Sequence, residues 1–382
     1  MSAAVRVREL APGERLGPFL DVAWTYNAAD PQWVAPLRMV VETVLDPKKH
    51  PFHEHAAVQL FLAEREGKVV GRIAAVVNRL HNETHGDKRG FFGLFECEDR
   101  EDTARALLDA AAAWLRGRGM ESMMGPMNLS TNEEISSPGI LIDGFGTPPY
   151  ITMSHNPRYY AGLMEAAGME KAKDLVAYHI PSNEVPQRLV RAVDAVLARH
   201  GATVRPLDMK RFRQEAGIIK DVYNSAWSLN WGFVPFTDEE FDHVAKDMKQ
   251  IVDPELCLIA EVGGQPVGFS LTLPDVNQAL KHLPSGRLFP FGVFKFLWHK
   301  RKVNRARVIT LGFKPAYQHA GLGAAFYLKT FLNSKARGYV EGEGSWILED
   351  NWDMRHAMEK MGCSVYKTYR VYERPLQEAN PS

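Results

Sequence analysis

Cysteine is scarce: three residues in 382, Cys97, Cys257 and Cys363, each isolated, with no Cys-x-x-Cys and no nearby histidine pair. That spacing excludes a disulfide framework and a Cys/His zinc site, and no metal is expected. No run of about 18 apolar residues occurs, so no transmembrane helix is expected. The opening stretch MSAAVRVRELAPGERLG lacks the apolar segment of a secretory signal. Together with three idle thiols, these features lead to the expectation of a cytoplasmic protein.

Acidic residues are missing from one long block. Val276–Val340 contains no Asp or Glu and twelve Lys or Arg, although the chain as a whole balances 46 bases against 46 acids. The remaining 317 residues therefore hold 34 bases and 46 acids. Charge segregated in this way points to a surface that meets an anion. No nucleic-acid partner is expected, because the aromatics cluster instead of interleaving with the bases and no nucleic-acid-binding motif occurs. The length predicts about two domains.

The two halves repeat. Ala63-Glu64-x-x-Gly67-x-x-Val70-Gly71 returns as Ala260-Glu261-x-x-Gly264-x-x-Val267-Gly268, 197 residues later. Each copy lies between apolar runs that read as a β-hairpin, Val58–Ala63 with Val69–Val77 and Cys257–Val262 with Val267–Leu273. Asn156 and Gly168 bracket one helix-like stretch, Asn351 and Gly362 another, and each is followed by a strand rich in Val and Tyr. The order of elements predicts an α/β protein with two tandem units, 1–182 and 183–382, each a mixed sheet flanked by helices.

The segment RVITLGFKPAYQHAGLGAAFYLKT, Arg307–Thr330, carries the clearest chemistry. A strand runs into Gln318-x-x-Gly321-x-Gly323 and then a helix. Unpaired N–H groups and the dipole at such a helix start favour a phosphate. The turn has neither GK[ST] nor GxGxxG, so a Walker loop and a dinucleotide fingerprint are both excluded. Pro315 with QHAGLG resembles the phosphate turn of the GNAT acyltransferase superfamily, and the resemblance covers Thr203–Glu373, with strand Ser345–Glu349, Asn351 and Gly362 in the family's order. It implies an acyl-CoA, acetyl-CoA or another, with its pyrophosphate held by the amides of His319, Ala320, Gly321, Leu322, Gly323 and Ala324 beside Gln318. It also implies that the backbone of Leu311 and Phe313 pairs with pantetheine and that Asn351 helps position the cofactor. The implied activity is N-acyl transfer, of an acetyl group by expectation, to a small-molecule or peptide amine near the interdomain cleft. A non-catalytic acyl-CoA binding or sensing protein is the alternative, because Met358 stands where the family often has a catalytic tyrosine.

The first half resembles the same fold with the turn lost. Glu96, Glu98, Asp99, Glu101 and Asp102 occupy the matching position, where like charge would repel a pyrophosphate. A solvated, acid-capped helix start explains the same residues. Glu349 and Tyr366 are the candidate acid–base residues, with a solvated surface carboxylate as the alternative for Glu349. The long stretch Gly125–Pro157 offers Asn128, Asn132, Glu133 and His155 as candidate substrate contacts, against a structural loop. Residues 288–302, LFPFGVFKFLWHKRK, read in three ways: a peripheral membrane contact, a wall for an acyl chain, or an insert packed on the other domain.

Overall fold

The computed structural model describes residues 3–132, 137–182, 184–185, 187–227 and 230–376. Among these, thirteen strands join one sheet: β1 Arg6–Glu9, β2 Ala56–Arg65, β3 Lys68–Asn78, β4 Arg89–Cys97, β5 Ser122–Gly125, β6 Ile140–Asp143 and β7 Glu170–Pro181, then β8 Ala202–Pro206, β9 Cys257–Val262, β10 Gln265–Pro274, β11 Arg305–Phe313, β12 Glu341–Leu348 and β13 Ser364–Pro375. Both repeated segments form the hairpins read from them. Each has a two-residue turn with positive φ at both positions, Glu66 (51°) and Gly67 (74°) in one, Gly263 (57°) and Gly264 (76°) in the other. That conformation matches the right-handed twist of the flanking strands.

The sheet runs β1-β2-β3-β4-β5-β13-β7-β12-β11-β10-β9-β8, with β6 also pairing with β13. Two pairs are parallel, β4 with β5 and β11 with β12. The halves thus repeat in mirror order about the centre, and each gives its last strand away. β7, from the first half, pairs with β12, and β13, from the second, pairs with β5. The strand read as starting at Ser345 starts four residues earlier. Glu341 and Glu343 extend it because β7 and β11 pair with it on both sides there.

The period-2 alternation of the first-half strands sends neighbours to opposite faces. Phe61, Ala75 and Phe92 pack under the helix Glu101–Arg116 through Leu107, Leu108 and Leu115. Leu62, Ala74 and Phe91 face the helices Gly17–Asn27 and Arg38–Leu45 through Phe19, Leu20, Val41 and Val44. The exchanged β13 serves both cores, with Tyr372 in one and Tyr369 and Val371 in the other. The second half carries smaller clusters, set around a large cavity.

Residues 288–302 do not fit the packed-insert reading. Residues Gly292–Lys300 form a helix, and Phe289, Phe291, Phe294 and Trp298 point to solvent. Only Phe296 packs inward. These residues do not line the cavity either, so they are no acyl-chain wall.

Because each half completes the other's sheet, the chain is expected to unfold in one calorimetric transition with equal calorimetric and van't Hoff enthalpies. Val371 is fully buried on β13, and Val371→Asp is expected to cost about 3–5 kcal/mol and to release amides of both halves together in hydrogen exchange. Two resolved transitions, or release confined to one half, would contradict the strand exchange.

Candidate active site

β11 and β12 stay paired from Arg305↔Glu341 to Val308↔Gly344, and then part. β12 bulges between Gly344 and Ile347 as it leaves. The parting is built from close contacts at two glycines. A Cβ on Gly312 would lie 2.3 Å from the Trp227 ring, and one on Gly344 2.7 Å from the Met358 methyl. Lys314 donates to Val267 across the β10–β11 ladder. Antiparallel alternation then turns the backbone groups of Leu311 and Phe313 away from β10, toward the opened edge. Phe313 O accepts there from Gln318 Nε2 at 3.3 Å.

The glycine turn follows. Gly321 has φ +75°, and neither its amide nor that of Leu322 has a backbone acceptor among the described residues. Gln318 also reaches back to Ala226 O at 3.2 Å, which ties the turn to the neighbouring helix. His319 and Gly321 are exposed, and the space above Gly323, the first residue of the helix Gly323–Ala336, is open. Free amides at a helix start beside an open strand edge fit an anionic group carried on an extended, amide-bearing arm.

A cavity of about 1100 Å³ opens from this cleft into the second half. Its walls come from Phe212, Ile219, Tyr223, Phe241 and Met248 on two helices, from Leu271, Ile309 and Leu311 on strands, and from Tyr327, Phe331 and Met358 on two more helices. The lining is mostly apolar. Among its polar residues, Ser137, Thr152, Arg307 and Ser345 form a hydrogen-bonded patch just where β11 and β12 separate. Arg307 Nε donates to Ser345 Oγ at 2.8 Å, and its outer nitrogens donate to Ile151 O (2.8 Å), Thr152 Oγ1, Ser345 O (3.0 Å) and Ser137 Oγ (3.4 Å). Glu343 lies behind, fully buried, 3.7 Å from Arg307 Nε, and accepts hydrogen bonds from Ser345 Oγ and Tyr366 OH. Burial, then the Glu343 charge, push the Tyr366 phenol far above its ordinary pKa. Tyr366 is therefore a neutral donor committed to Glu343 and does not line the cavity.

The other sequence candidates are dispersed. Glu349 lies outside the cavity lining, in an ion pair with Lys171 (2.6 Å) and accepting from Asp174 N (3.0 Å). Asn351 lines the cavity, but its side chain caps the helix Trp352–Lys360 by accepting from Met354 N. Asn132 lines it too, donating to Val234 O (2.9 Å) and accepting from Tyr223 OH (3.0 Å). His155 sits beside Asp30 at 2.8 Å, away from the cavity. Glu133 lies outside the described residues. Cys363 lines the cavity, yet burial pushes its thiol up to about 11, so it is no thiolate at neutral pH.

Three groups escaped the sequence reading. Arg307 and Glu343 lie in polar strand starts, Arg305-Ala306-Arg307 and Glu341-Gly342-Glu343-Gly344, and nothing local marks either as buried. Tyr327 had no signal. It stands on the helix after the turn, and its phenol reaches Met354 Sδ in the cluster that contains Met358 and Cys363. Burial pushes that phenol up to about 12.

In the first half the equivalent cleft is closed by the chain itself. Met127 N donates to Phe92 O (2.8 Å) and Asn128 Oδ1 accepts from Leu94 N (2.9 Å), so residues 126–129 lie along the edge of β4. A Cβ on Gly93 would be 2.5 Å from Asn128 N. Asn128 is thus a structural residue of the closed cleft, outside the cavity lining. The acidic turn is partly offset from within the chain: Arg65 binds Glu98 (3.1 Å) and Asp102 (3.0 Å), Arg100 binds Asp102 (2.9 Å), and Tyr160 donates a hydrogen bond to Glu96 at 2.6 Å.

The acid-free block also reads differently in three dimensions. Arg305, Arg307, Lys314 and Arg337 pair with Asp275, Glu343, Asp221 and Asp253. Six of the other eight bases fall between Lys281 and Lys302, around the aromatic helix and not in the glycine turn. The block is therefore not a single anion-binding surface.

No family model matches the chain. It is 40% identical over 366 residues to the bacterial ceramide synthase of Caulobacter vibrioides, covering 94% of each chain. It is 36% identical over 355 residues to protein YghO of Escherichia coli, covering 91% of this chain and 89% of that one. Its fold superposes on a tandem GNAT protein from the clavulanic acid biosynthesis pathway with a TM-score of 0.56 at 12% identity, over 98% of this chain and all of the other. The chain has the tandem GNAT fold and belongs to the family that holds the bacterial ceramide synthase and YghO.

Proposed function

We propose that the protein transfers a long acyl chain from acyl-CoA to the amine of an amphiphilic, long-chain base, forming an amide of the ceramide type. The observation that carries this reading is the apolar cavity of about 1100 Å³ leading from the β11–β12 cleft. It lies just above the usual range of ligand-pocket sizes, ~300–1,000 Å³, and an acetyl group would leave most of it empty. The relative named a bacterial ceramide synthase supports the same chemistry, since a ceramide is a fatty acyl chain in amide linkage to a long-chain amino alcohol.

When bound, an acyl-CoA supplies an acyl group activated as a thioester. Across the transfer an amide bond forms, a C–S bond breaks and one proton passes from the amine to the thiol. The turn amides of Gly321 and Leu322 hold the pyrophosphate, and the edge groups of Leu311 and Phe313 orient the arm. The apolar walls hold the acyl chain and exclude water from the thioester. Ser345 lines the cavity and its Oγ donates to Glu343, so the amine's proton passes to Ser345 Oγ as that hydroxyl's own proton passes to Glu343. Arg307 holds Ser345 in place from the other side. The Tyr327 phenol, protonated at neutral pH, delivers a proton to the departing sulfur, and once the products leave, solvent returns a proton to Tyr327 and takes one from Glu343; this answers the absence of a tyrosine at position 358.

Each buried methylene contributes about 0.8 kcal/mol, so calorimetric titration is expected to find a long-chain acyl-CoA bound at least about 100-fold more tightly than acetyl-CoA. Equal affinities would refute the long-chain reading. Gly323→Asp meets no steric obstacle and places an acid at a helix start, which stabilises the helix by about 0.3–1 kcal/mol. It is expected to keep or raise the melting temperature while abolishing CoA binding. Tyr327→Phe and Ser345→Ala are each expected to lower kcat by about 10²-fold or more with little change in acyl-CoA affinity, measured as thiol release with a long-chain amine. Unchanged kcat in both would remove this assignment, and binding without thiol release in the wild type would establish a non-catalytic acyl-CoA binder.

A further inference from the structure

The aromatic helix has no role in the site described above, and its surface is unusual. Five of the ten large apolar side chains exposed among the described residues fall within residues 289–298: Phe289 (69% exposed), Phe291 (80%), Phe294 (70%), Leu297 (52%) and Trp298 (60%). Phe291, Phe294 and Trp298 follow the spacing of one helix face. Phe296 lies on the opposite side, packed in a cluster with Met248, Val252, Leu271 and Ile309, all four of which also line the cavity. The helix therefore backs residues that line the cavity, with its aromatic face turned outward.

Its electrostatics are one-signed. Lys281, Arg287, Lys295, Arg301 and Lys302 are exposed around the aromatics. None of them forms an ion pair with a carboxylate among the described residues, and no acid occurs anywhere from 276 to 340. Lys302 lies 5.5 Å from the centre of the Trp298 ring. Protein interfaces are depleted of lysine at their apolar centres. A bilayer of anionic lipid suits both features at once: the aromatic rings enter the headgroup–acyl boundary while the bases meet lipid phosphates.

We propose that residues 287–302 dock this protein on an anionic lipid bilayer, so that the amphiphilic amine reaches the cavity from the membrane surface. The delivery step rests on the long-chain reading given under Proposed function; the docking does not.

Co-sedimentation with phosphatidylcholine vesicles, with and without phosphatidylglycerol, tests the docking. The full-length protein is expected to pellet with the phosphatidylglycerol vesicles, and less so at high salt. A Phe291→Ala, Phe294→Ala, Trp298→Ala variant should keep the wild-type melting curve, since all three side chains are exposed, and lose at least about tenfold in vesicle affinity. A Lys295→Glu, Arg301→Glu, Lys302→Glu variant should lose the preference for phosphatidylglycerol. Wild type remaining in the supernatant, or an aromatic variant that pellets equally, would overturn the proposal. So would a wild-type dimer, seen by sedimentation velocity, that the aromatic variant dissolves without any vesicle binding, since the face would then join two copies. Acyl transfer to a long-chain amine separates delivery from docking. The aromatic variant should match wild type on the amine in detergent micelles and lose activity on the same amine in vesicles; equal loss in both would overturn delivery. A wild type inactive in micelles would refute the acyl-transfer reading and the delivery step with it, while sedimentation would still decide the docking.

Discussion

A strand that leaves its neighbour inside a protein exposes a row of backbone N–H and C=O groups, and each of those groups needs a partner. The two parallel pairs of this sheet, β4–β5 and β11–β12, meet that demand in opposite ways. Beside β4, Met127 and Asn128 fill the edge from within the chain. Beside β11, the edge groups of Leu311 and Phe313 face a cleft that continues into the cavity. The duplicated architecture thus holds one closed and one open copy of the same feature. The closed copy lends rigidity through two filled cores. The open copy keeps its cores small and its centre hollow.

Charge follows the same division. Arg307 and Glu343 are buried at the parting of β11 and β12, where an unpaired ion would cost several kcal/mol. Their cost is offset because the guanidinium is satisfied by Ile151, Thr152, Ser137 and Ser345, three of which do not belong to its own sheet pair. The long loop from Gly125 to Pro157 is therefore needed to make a polar floor for an apolar chamber. It also accounts for a loop with so little regular structure packing so tightly: Ile151 N donates to the buried carboxylate of Asp275 at 2.9 Å. Burial raises the Asp275 pKa to about 6 even though Arg305 pulls it down.

Much of the fold was legible because it is local. The Glu66-Gly67 and Gly263-Gly264 turns, the alternating strands beside them and the Gln318–Gly323 turn before a helix all express backbone preferences of neighbouring residues, and the structure carries each of them. Asn351 was rightly placed at a helix start, although its side chain is occupied by capping. The candidate acid–base residues were less legible. Glu349 follows a strand end, and its partners Lys171 and Asp174 are more than 170 residues away in sequence. Tyr327 lies one helical turn into a helix that begins with small and apolar residues, and acquires interest only through Met354 and Met358.

By itself the sequence determined the secondary elements, the duplication and the glycine turn, because these depend on dihedral preference and on periods of two and 3.6 residues. Tertiary structure alone decided which strand completes which half. β7 and β13 present nearly the same half-buried pattern, and only packing against β5 and β12 distinguishes them. It alone decided the cavity, since empty volume is a property of several walls and of no single segment. It also decided the meaning of the acid-free block. Partners distant in sequence neutralise Arg305, Arg307, Lys314 and Arg337, and most of the remaining excess of charge gathers around an exposed aromatic helix.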